Sequence, residues 1–584
     1  MRRYRSLRDF IDVLRQEGEL VDIHLPLSPH LVIPEIQRRV VKRKGPALLF
    51  HNVNGSPFPV ATNLFGSQKR IDLAFGGRPE QVVRDLCHLI ESLPPKPKDI
   101  WAKRSLLPKL LKVGLKNKKT GPLVQNEIDS LEKLPALHCW PEDGGPFVTL
   151  PLVYTQHPHT GKGNLGMYRV QIQGPRQAGM HIQIHRGGGN HYYAHEAENR
   201  GMPSAVIVGG HPALTISAVA PLPEDVPELA FASLMMGYKL DMIRNPQYAD
   251  IPIPAEADFC IYGTVPPHER APEGPFGDHY GYYSLKHDYP FMNVEKIYHR
   301  PDAIWPATVV GRPPQEDHYI AIYLQDIFSP LFPIVMKGVK DVFAYEESGV
   351  HSLAGAIVHE RYYRESFTAS MRVLGEGQLS LSKCLMTTDA DLDLRNFKPF
   401  LQHIVARCDF RTDLHIISNI SLDTLDYTGP AINKGSKALF LGVGDARFDL
   451  KENVPATFSN TAFGDASLFC PGVMVVRGPA YEADPKAAEK LVAQKEIEGF
   501  RVVCLHDDPA AATKDDHAFL WHIFTRFEPA GDIYGKHEVK RYHFAFDAPI
   551  VIDCRIKPGY PKVLEPEADT VREVDEIWDK LGLN

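Results

Sequence analysis

Glu273 and Asp278 are the residues whose type and setting best suit catalysis. Both lie in A-P-E-G-P-F-G-D-H-Y-G-Y-Y, Ala271 to Tyr283. Pro272, Gly274, Pro275 and Gly277 keep both carboxylates out of a regular helix or a central strand, so the stretch must form a rigid turn. Carboxylates fixed on such a turn suit general acid/base work. An arbitrary P-E-G-P is ordinarily a surface turn with solvated acids. Here Phe276, Tyr280, Tyr282 and Tyr283 are placed to wall the acids from water, and desolvation is expected to raise their pKa values toward neutrality.

A second stretch, G-K-G-N-L-G-M-Y-R, ends in Arg169. In a pocket that guanidinium would be a bidentate partner for a carboxylate or phosphate; on a surface strand it would be an ordinary arginine. Asn164, His185 and Glu228 offer an amide oxygen, an imidazole and a carboxylate. A hard divalent ion such as Mn²⁺ or Mg²⁺, with a bound phosphate, would accept that mixed set, although no short metal-binding motif accompanies it. The glycine run H-R-G-G-G-N from His185 lets backbone N–H groups approach an anion, and is equally readable as a flexible loop. No G-x-G-x-x-G or Walker sequence supports a nucleotide fold.

Short strands must position these residues. From Trp140 to about Pro333 the chain runs through F-V-T-L-P-L-V-Y-T, G-M-Y-R-V-Q-I-Q, H-I-Q-I-H, S-A-V-I-V-G-G and L-T-I-S-A-V-A. Alternation in H-I-Q-I-H predicts a half-buried strand with His181, Gln183 and His185 on one face. One clear helix, starting near Val226, interrupts a block that otherwise suggests a small barrel. Upstream, S-L-R-D-F-I-D-V-L-R-Q-E-G reads as an amphipathic helix capped by Ser6 and stopped by Gly18, within a small α/β segment. The basic stretch Leu106 to Lys119 reads as a linker helix, or as one that meets a membrane surface or a partner.

At 584 residues the chain is long enough for several domains, and 43% hydrophobic with 23% charged residues is an ordinary globular composition. A net charge of -7 leaves no basic footprint for nucleic acid. No long apolar run or leader is present, so the expected compartment is the cytoplasm, with a peripheral membrane position left open by the basic stretch. Eight scattered cysteines without a C-x-x-C pair are expected to be buried free thiols.

Taken together, G-N-L-G-M-Y-R, H-I-Q-I-H-R-G-G, P-L-P-E-D-V-P-E-L-A-F-A, A-P-E-G-P-F-G-D-H-Y-G-Y-Y and V-V-G-R-P-P-Q-E-D resemble the UbiD family of reversible decarboxylases. The resemblance implies prenylated FMN with a divalent metal and K⁺, a flavin prenyltransferase of the UbiX type as cofactor supplier, and a homodimer or higher homo-oligomer. It implies an α+β protein of three parts: an N-terminal α/β cap and linker (1–131), a split, flavin reductase-like β-barrel that binds the cofactor (132–335), and a C-terminal α/β oligomerisation domain (336–584). Carried over by position, Asn164, His185 and Glu228 look like the metal ligands. Met167, Tyr168, Arg169, His181, Ile182, Gln183, Arg186, Gly187 and Lys437 look like cofactor contacts, and Arg169, Glu273 and Asp278 like the catalytic set.

Decarboxylating an aryl acid requires an electron sink that no side chain supplies, so the cofactor must carry that step. The implied roles are that Arg169 orients the substrate carboxylate, Glu273 pairs with Arg169, and Asp278 returns a proton to carbon. Asp at 278, where the family's ferulic acid decarboxylases have Glu and its quinone-pathway members Asp, implies through the resemblance a hydroxyaryl rather than a cinnamic acid, of the polyprenyl-4-hydroxybenzoate or dihydroxynaphthoate type. The alternatives are an accessory flavin-binding protein on the same fold and a metal-dependent hydrolase. Beyond residue 343, L-S-K-C-L-M-T-T-D-A-D followed by L-Q-H-I-V-A-R is echoed by R-V-V-C-L-H-D-D-P followed by L-W-H-I-F-T-R, which suggests a duplicated α/β unit. The last helix, with Val574, Ile577, Trp578 and Leu581 inward, is a candidate to dock on another copy of the chain.

Overall fold

The computed structural model describes residues 4–76, 78–91, 111–182, 187–222 and 226–583. Two compact units emerge, one running to Phe328 and regaining the C-terminal segment from Val563, the other Ser329–Lys562.

The first unit begins with the helix Leu7–Gln16. Ser6 Oγ accepts from Asp9 N and the Asp9 carboxylate accepts from Ser6 N, so the first turn is closed from both sides, and Leu7, Phe10, Ile11 and Leu14 are buried. A four-stranded sheet follows, ordered Leu20–Ile23, Ala47–Phe50, Val60–Thr62 and Trp305–Ala307. Its last strand arrives from far along the chain, so the cap shares one apolar core with the sheet beyond it.

That larger sheet positions the site. Its nine antiparallel strands curl into a half-barrel in the order Phe147–Val148, Val170–Gly174, Gln177–Met180, Phe291–His299, Phe259–Val265, Met202–Val208, Leu152–Gln156, Gly163–Gly166, with Asn126–Ile128 paired to Phe291–His299. The α+β, split-barrel class expected from the sequence is the observed one.

Local expectations fail in four places. L-T-I-S-A-V-A forms the helix Pro212–Val219, because Pro212 sets the first turn and His211 Nδ1 accepts from Ala213 N (3.0 Å), overriding the β-branched residues. The glycine run opens a helix, Gly187–Glu196, so with Pro212–Val219, Glu228–Met236 and Asp317–Phe328 four helices of eight or more residues, rather than one, lie between Trp140 and Pro333 among the described residues. The strand near H-I-Q-I-H ends at Met180, before His181 and Ile182, and residues 183–186 lie outside the described residues. Of the basic stretch, Leu115–Lys118 is a strand, parallel to Leu240–Ile243.

The C-terminal helix Ala568–Ile577 also departs from expectation. It packs on the chain's own helix Val32–Lys42: Arg39 donates to Asp575 Oδ1 (2.6 Å) and Val571 O (2.8 Å), and Arg43 lies 4.6 Å over the Trp578 ring. Val574, Trp578 and Leu581 join the first unit's core, so the face expected to meet another copy is covered internally. Trp578→Ala is therefore expected to cost about 3–5 kcal/mol in chemical unfolding; a change below about 1 kcal/mol would show the helix to be dispensable.

The second unit holds two five-stranded sheets of one topology. The first is ordered Val339–Ala344, Leu353–Val358, Cys384–Thr388, Gly435–Leu441, Leu414–Ile420; the second Ala466–Cys470, Val473–Arg477, Val502–His506, Ile550–Asp553, Ile533–Tyr534. In each, the two inner pairings are parallel and the two outer ones antiparallel. Cys384 and Cys504 lie in the two third strands, and the helices Phe397–Val405 and Asp516–Phe524 carry His403 and His522. His403 Nε2 lies 2.7 Å from Thr388 Oγ1, and the His522 ring 5.0 Å from His506, so each histidine meets the last residue of its own third strand. Phe397, Phe469, Phe519 and Phe524 fill the space between the sheets, with Phe469 and Phe519 stacked at 3.7 Å. All eight cysteines are buried, and none is in a disulfide.

Candidate active site

Glu273 ends a short strand, Ala271–Glu273, paired with His287–Tyr289, and Asp278 follows the ladder Phe276–Gly277 with Tyr283–Ser284. Gly274, at φ +86°, supplies the left-handed backbone that turns the chain between them. Asp278 N donates to Tyr282 O (3.1 Å), and Leu564 N, from the returning C-terminal segment, donates to Gly281 O (3.1 Å). The turn is thus rigid and anchored at both ends.

Arg169 lies at its centre, immediately before the strand Val170–Gly174. Nε donates to Glu273 Oε1 (2.7 Å) and Nη2 to Glu273 Oε2 (2.8 Å), a forked pair in which the Arg169 side chain is 8% exposed and Glu273 0%. Nη1 donates to Asp278 Oδ2, Nη2 also to Ser284 Oγ (2.9 Å), and the guanidinium lies 4.8 Å over the Phe276 ring. His181 Nδ1 lies 3.3 Å from Glu273 Oε2, with its ring 4.3 Å from Tyr289. His279 approaches Asp278 Oδ1 through its backbone N (2.7 Å) and its Nδ1 (2.6 Å).

Phe276, Tyr280, Tyr282 and Tyr283 are all buried, as the sequence led us to expect, and the Phe276 ring lies against the Arg169 guanidinium. The electrostatic consequence is reversed. Burial pushes Glu273 up, but Arg169 and His181 outweigh it and hold the carboxyl down at about 2. Asp278 is likewise held well below the ordinary range: burial raises it, while His279 and Arg169 lower it further. Desolvation alone was the wrong guide, because it strengthens the attraction to a buried guanidinium as well as penalising the carboxylate.

Because the folded value of Glu273 lies below its ordinary 4.5, its stabilisation is complete above that pH and is lost as pH falls toward about 2. Melting temperature is therefore expected to fall more steeply between pH 4.5 and about 2 in the wild type than in Glu273→Gln; parallel profiles would contradict this.

At the opposite edge of the sheet order, Asn164 lies in the strand Gly163–Gly166, and Glu228 opens the helix Glu228–Met236. Glu228 Oε2 accepts from Leu165 N (3.1 Å), which sets the carboxylate beside Asn164, and burial pushes its pKa up. Asn164 Oδ1 packs against the start of the helix Gly187–Glu196: a Cβ on Gly187 would come within 2.0 Å of it, and a Cβ on Gly188 within 2.8 Å of the Tyr168 ring. The Asn164 amide oxygen thus meets the start of a helix that only glycine allows so close, with the Glu228 carboxylate on the next residue's N–H. Among the described residues no group of three His, Cys, Asp or Glu is placed to hold a metal.

Comparison with known proteins decides what this arrangement belongs to. Models of the 3-octaprenyl-4-hydroxybenzoate carboxy-lyase (UbiD) N-terminal, Rift-related and C-terminal domains match residues 11–90, 115–313 and 318–442. A Chlamydia pneumoniae protein named as a subunit of 4-hydroxybenzoate decarboxylase is 44% identical over 579 residues, 98% of this chain and 97% of that protein. The chain belongs to the UbiD family.

As a UbiD-family carboxy-lyase it shares its fold with the vanillic acid decarboxylase of Sedimentibacter hydroxybenzoicus in closed form (TM-score 0.66, 22% identity, 78% of this chain and 97% of that one). The UbiD-class enzyme HmfF from Pelotomaculum thermopropionicum, solved with FMN, gives a TM-score of 0.61 at 21% identity over 77% of this chain and 98% of its own. The family models stop at residue 442, before the second of the two like sheets.

Within this UbiD-family unit, Arg169, Glu273 and Asp278 form one cluster with His181, and Asn164, Glu228, Tyr168 and Gly187 a second. Met167 lies half-buried beside Tyr168, and Ile182 is buried. Gln183, His185 and Arg186 lie outside the described residues. Lys437 belongs to the other unit, where Nζ donates to Ser382 O (2.7 Å) and burial pushes its pKa down to about 8. Sequence reasoning missed Ser284 and the charge partnership of His279 with Asp278. The D-H pair was a visible signal for His279; nothing marked Ser284.

Proposed function

We propose that this UbiD-family protein catalyses reversible, non-oxidative decarboxylation of a hydroxyaryl carboxylic acid with prenylated FMN as cofactor. The observation that carries the reading is the buried Arg169, forked by Glu273 and paired with Asp278. The substrate class, of the polyprenyl-4-hydroxybenzoate or dihydroxynaphthoate type in quinone biosynthesis, is supported by Asp at position 278 and by the name of the Chlamydia pneumoniae relative. The FMN and prenylated FMN in the HmfF structures support a flavin here.

Asn164, Glu228 and His185 would hold a Mn²⁺ or Mg²⁺ against the cofactor phosphate. The donor set suits a hard ion, and a cation beside Glu228 would offset the burial that raises its pKa. Tyr168, His181, Ile182 and Gly187 would line the cofactor, with Met167, Gln183 and Arg186 as further contacts and K⁺ as the second ion. Bound prenylated FMN would supply the electron sink that the carbon bearing the carboxylate needs.

The chain's own residues would do the rest. A substrate carboxylate reaching Arg169 competes with Asp278 for Nη1 and leaves the Glu273 fork in place. Losing Arg169 raises the Asp278 pKa, and a proton held between Asp278 and His279, which is the larger of the two influences that hold that carboxyl low, would be the one delivered to carbon once CO₂ departs. His279, at Nδ1, is the neighbouring group able to exchange that proton. The burial of Arg169, Glu273 and Asp278 would keep water from the reacting groups.

No described helix is long and apolar enough to cross a membrane; a cytoplasmic homo-oligomer served by a flavin prenyltransferase fits the proposal. The test is cofactor absorbance and intact mass after co-expression with such a prenyltransferase. Prenylated FMN is expected in the wild type and not in the His185→Ala, Glu228→Ala double variant. A wild type that takes up no flavin even with added Mn²⁺ would overturn the reading.

A further inference from the structure

The turn that carries both catalytic acids is held from one side by a single short segment. Asp143, in P-E-D-G-G-P from Pro141, is a buried carboxylate whose Oδ1 accepts from Gly277 N (2.7 Å) and whose Oδ2 accepts from Cys139 N (3.0 Å) and Trp140 N (2.9 Å). Next to it, Gly144 N donates to Pro275 O (2.7 Å). Gln171 then ties the two strands of contact together: Nε2 donates to Gly144 O (2.8 Å), and Oε1 accepts from Gly274 N (3.0 Å). The backbone of 274, 275 and 277, the stretch between Glu273 and Asp278, is thereby fixed at three points.

The fit leaves no slack. A Cβ on Gly277 would lie 2.1 Å from Trp140 Cδ1, and one on Gly144 would lie 2.3 Å from Gly274 O. Trp140 is itself held, because Nε1 donates to Val310 O (2.9 Å) and Arg38 lies 4.2 Å over its ring. We infer that Asp143 is a positioning residue for the reaction: through the Gly277 N–H it sets where the Glu273 and Asp278 carboxylates stand about Arg169.

A carboxylate suits this task better than an amide. Three N–H groups converge on two oxygens, and an ionised acceptor binds each about twice as strongly as a neutral one. An asparagine of the same shape can satisfy one side only; its NH₂ then faces either Gly277 N–H or the Cys139–Trp140 pair, donor against donor. The charged and titratable groups around Asp143 are Arg169, Arg38 with its partner Glu35, Glu142, Tyr283 and Cys139. Burial pushes Asp143 up to about 6, against the pull of its three N–H donors and Arg169. The clamp is therefore ionised at neutral pH and loses an acceptor lone pair when protonated, so turnover acquires an acid limb near that value.

The turnover part of this inference rests on the decarboxylase reading; the clamp itself does not. The experiment compares wild type and Asp143→Asn, each purified with bound flavin, by amide hydrogen exchange and by pH-dependent CO₂ release. Expected are exchange over 274–278 faster by about tenfold or more, kcat lower by about 10- to 100-fold with flavin content unchanged, and loss of the acid limb. Unchanged exchange over 274–278 overturns the clamp; faster exchange with kcat and pH profile intact overturns the positioning role. If Asp143→Asn does not fold, Gln171→Met, which releases Gly274, Gly144 and Gln173, is read by exchange over 274–278 and by kcat with the acid limb retained; unchanged exchange, or a wild type without an acid limb near pH 6, overturns the inference. A wild type that releases no CO₂ from any aryl acid counts against the decarboxylase, and the exchange comparison still decides the clamp.

Discussion

Glu273→Gln is expected to lower turnover by roughly 10²- to 10⁴-fold while leaving the flavin bound. The side chain is fully buried, and its two oxygens meet Arg169 Nε and Nη2 separately, at 2.7 and 2.8 Å. Glutamine has one acceptor oxygen to offer. Its NH₂ would point at one of the guanidinium donors, and the guanidinium would swing toward Asp278, its other carboxylate hydrogen-bond partner. The substrate carboxylate would then find its cation turned away and already engaged. Since the change keeps volume and lies within the acid turn rather than beside Asn164 or Glu228, cofactor absorbance should be unaltered. A kcat within about threefold of wild type, with flavin fully loaded, would remove Glu273 from the chemistry.

A large effect on stability is expected in the first sheet of the second unit. Lys383 and Asp426 form an ion pair at 2.7 Å with side chains 1% and 2% exposed. Taking Asp426 away, as in Asp426→Ala, leaves an ammonium in an environment without water, at a cost of about 3–5 kcal/mol. Asp426 also accepts from Thr428 N (3.0 Å), so the loop after Leu414–Ile420 loosens with it. Replacing both charges, Lys383→Met with Asp426→Leu, should restore most of the loss, because a buried pair and a well-packed apolar pair are close in free energy. Denaturant unfolding of the two variants checks this. A single variant within about 1 kcal/mol of wild type, or a double variant no better than the single, would refute it.

Much of the site was legible before any fold was known, and for identifiable reasons. Pro272, Gly274, Pro275 and Gly277 fix a turn by local sterics, so Glu273 and Asp278 could be read as held rather than flexible acids. The aromatic wall was legible because large rings that close together in sequence seldom all stay in water. Helix Leu7–Gln16 was readable from its cap and its apolar spacing. Where β-branched residues followed a strong helix start, as at His211–Pro212, the local pattern misled, since the cap and the covering position on the sheet outweighed β preference.

Other features depend on long-range placement. Whether a buried carboxyl titrates high or low depends on which cation stands beside it, and Arg169 is more than a hundred residues away from either acid in the chain. Likewise the Asp143 clamp, the Gln171 bridge and the burial of Trp578 against Val32–Lys42 are contacts between segments distant in sequence. The repeated third strand and its histidine helix could be suspected from two echoes of a few residues, but a shared strand order with the same parallel and antiparallel pairings exists only once the sheets are assembled. The sequence by itself determined the turn, the residue types of the site and the family. Only the tertiary structure decided the charge state of the acids, what holds them, and which surfaces the chain covers for itself, because pairing, desolvation and packing are properties of neighbours in space.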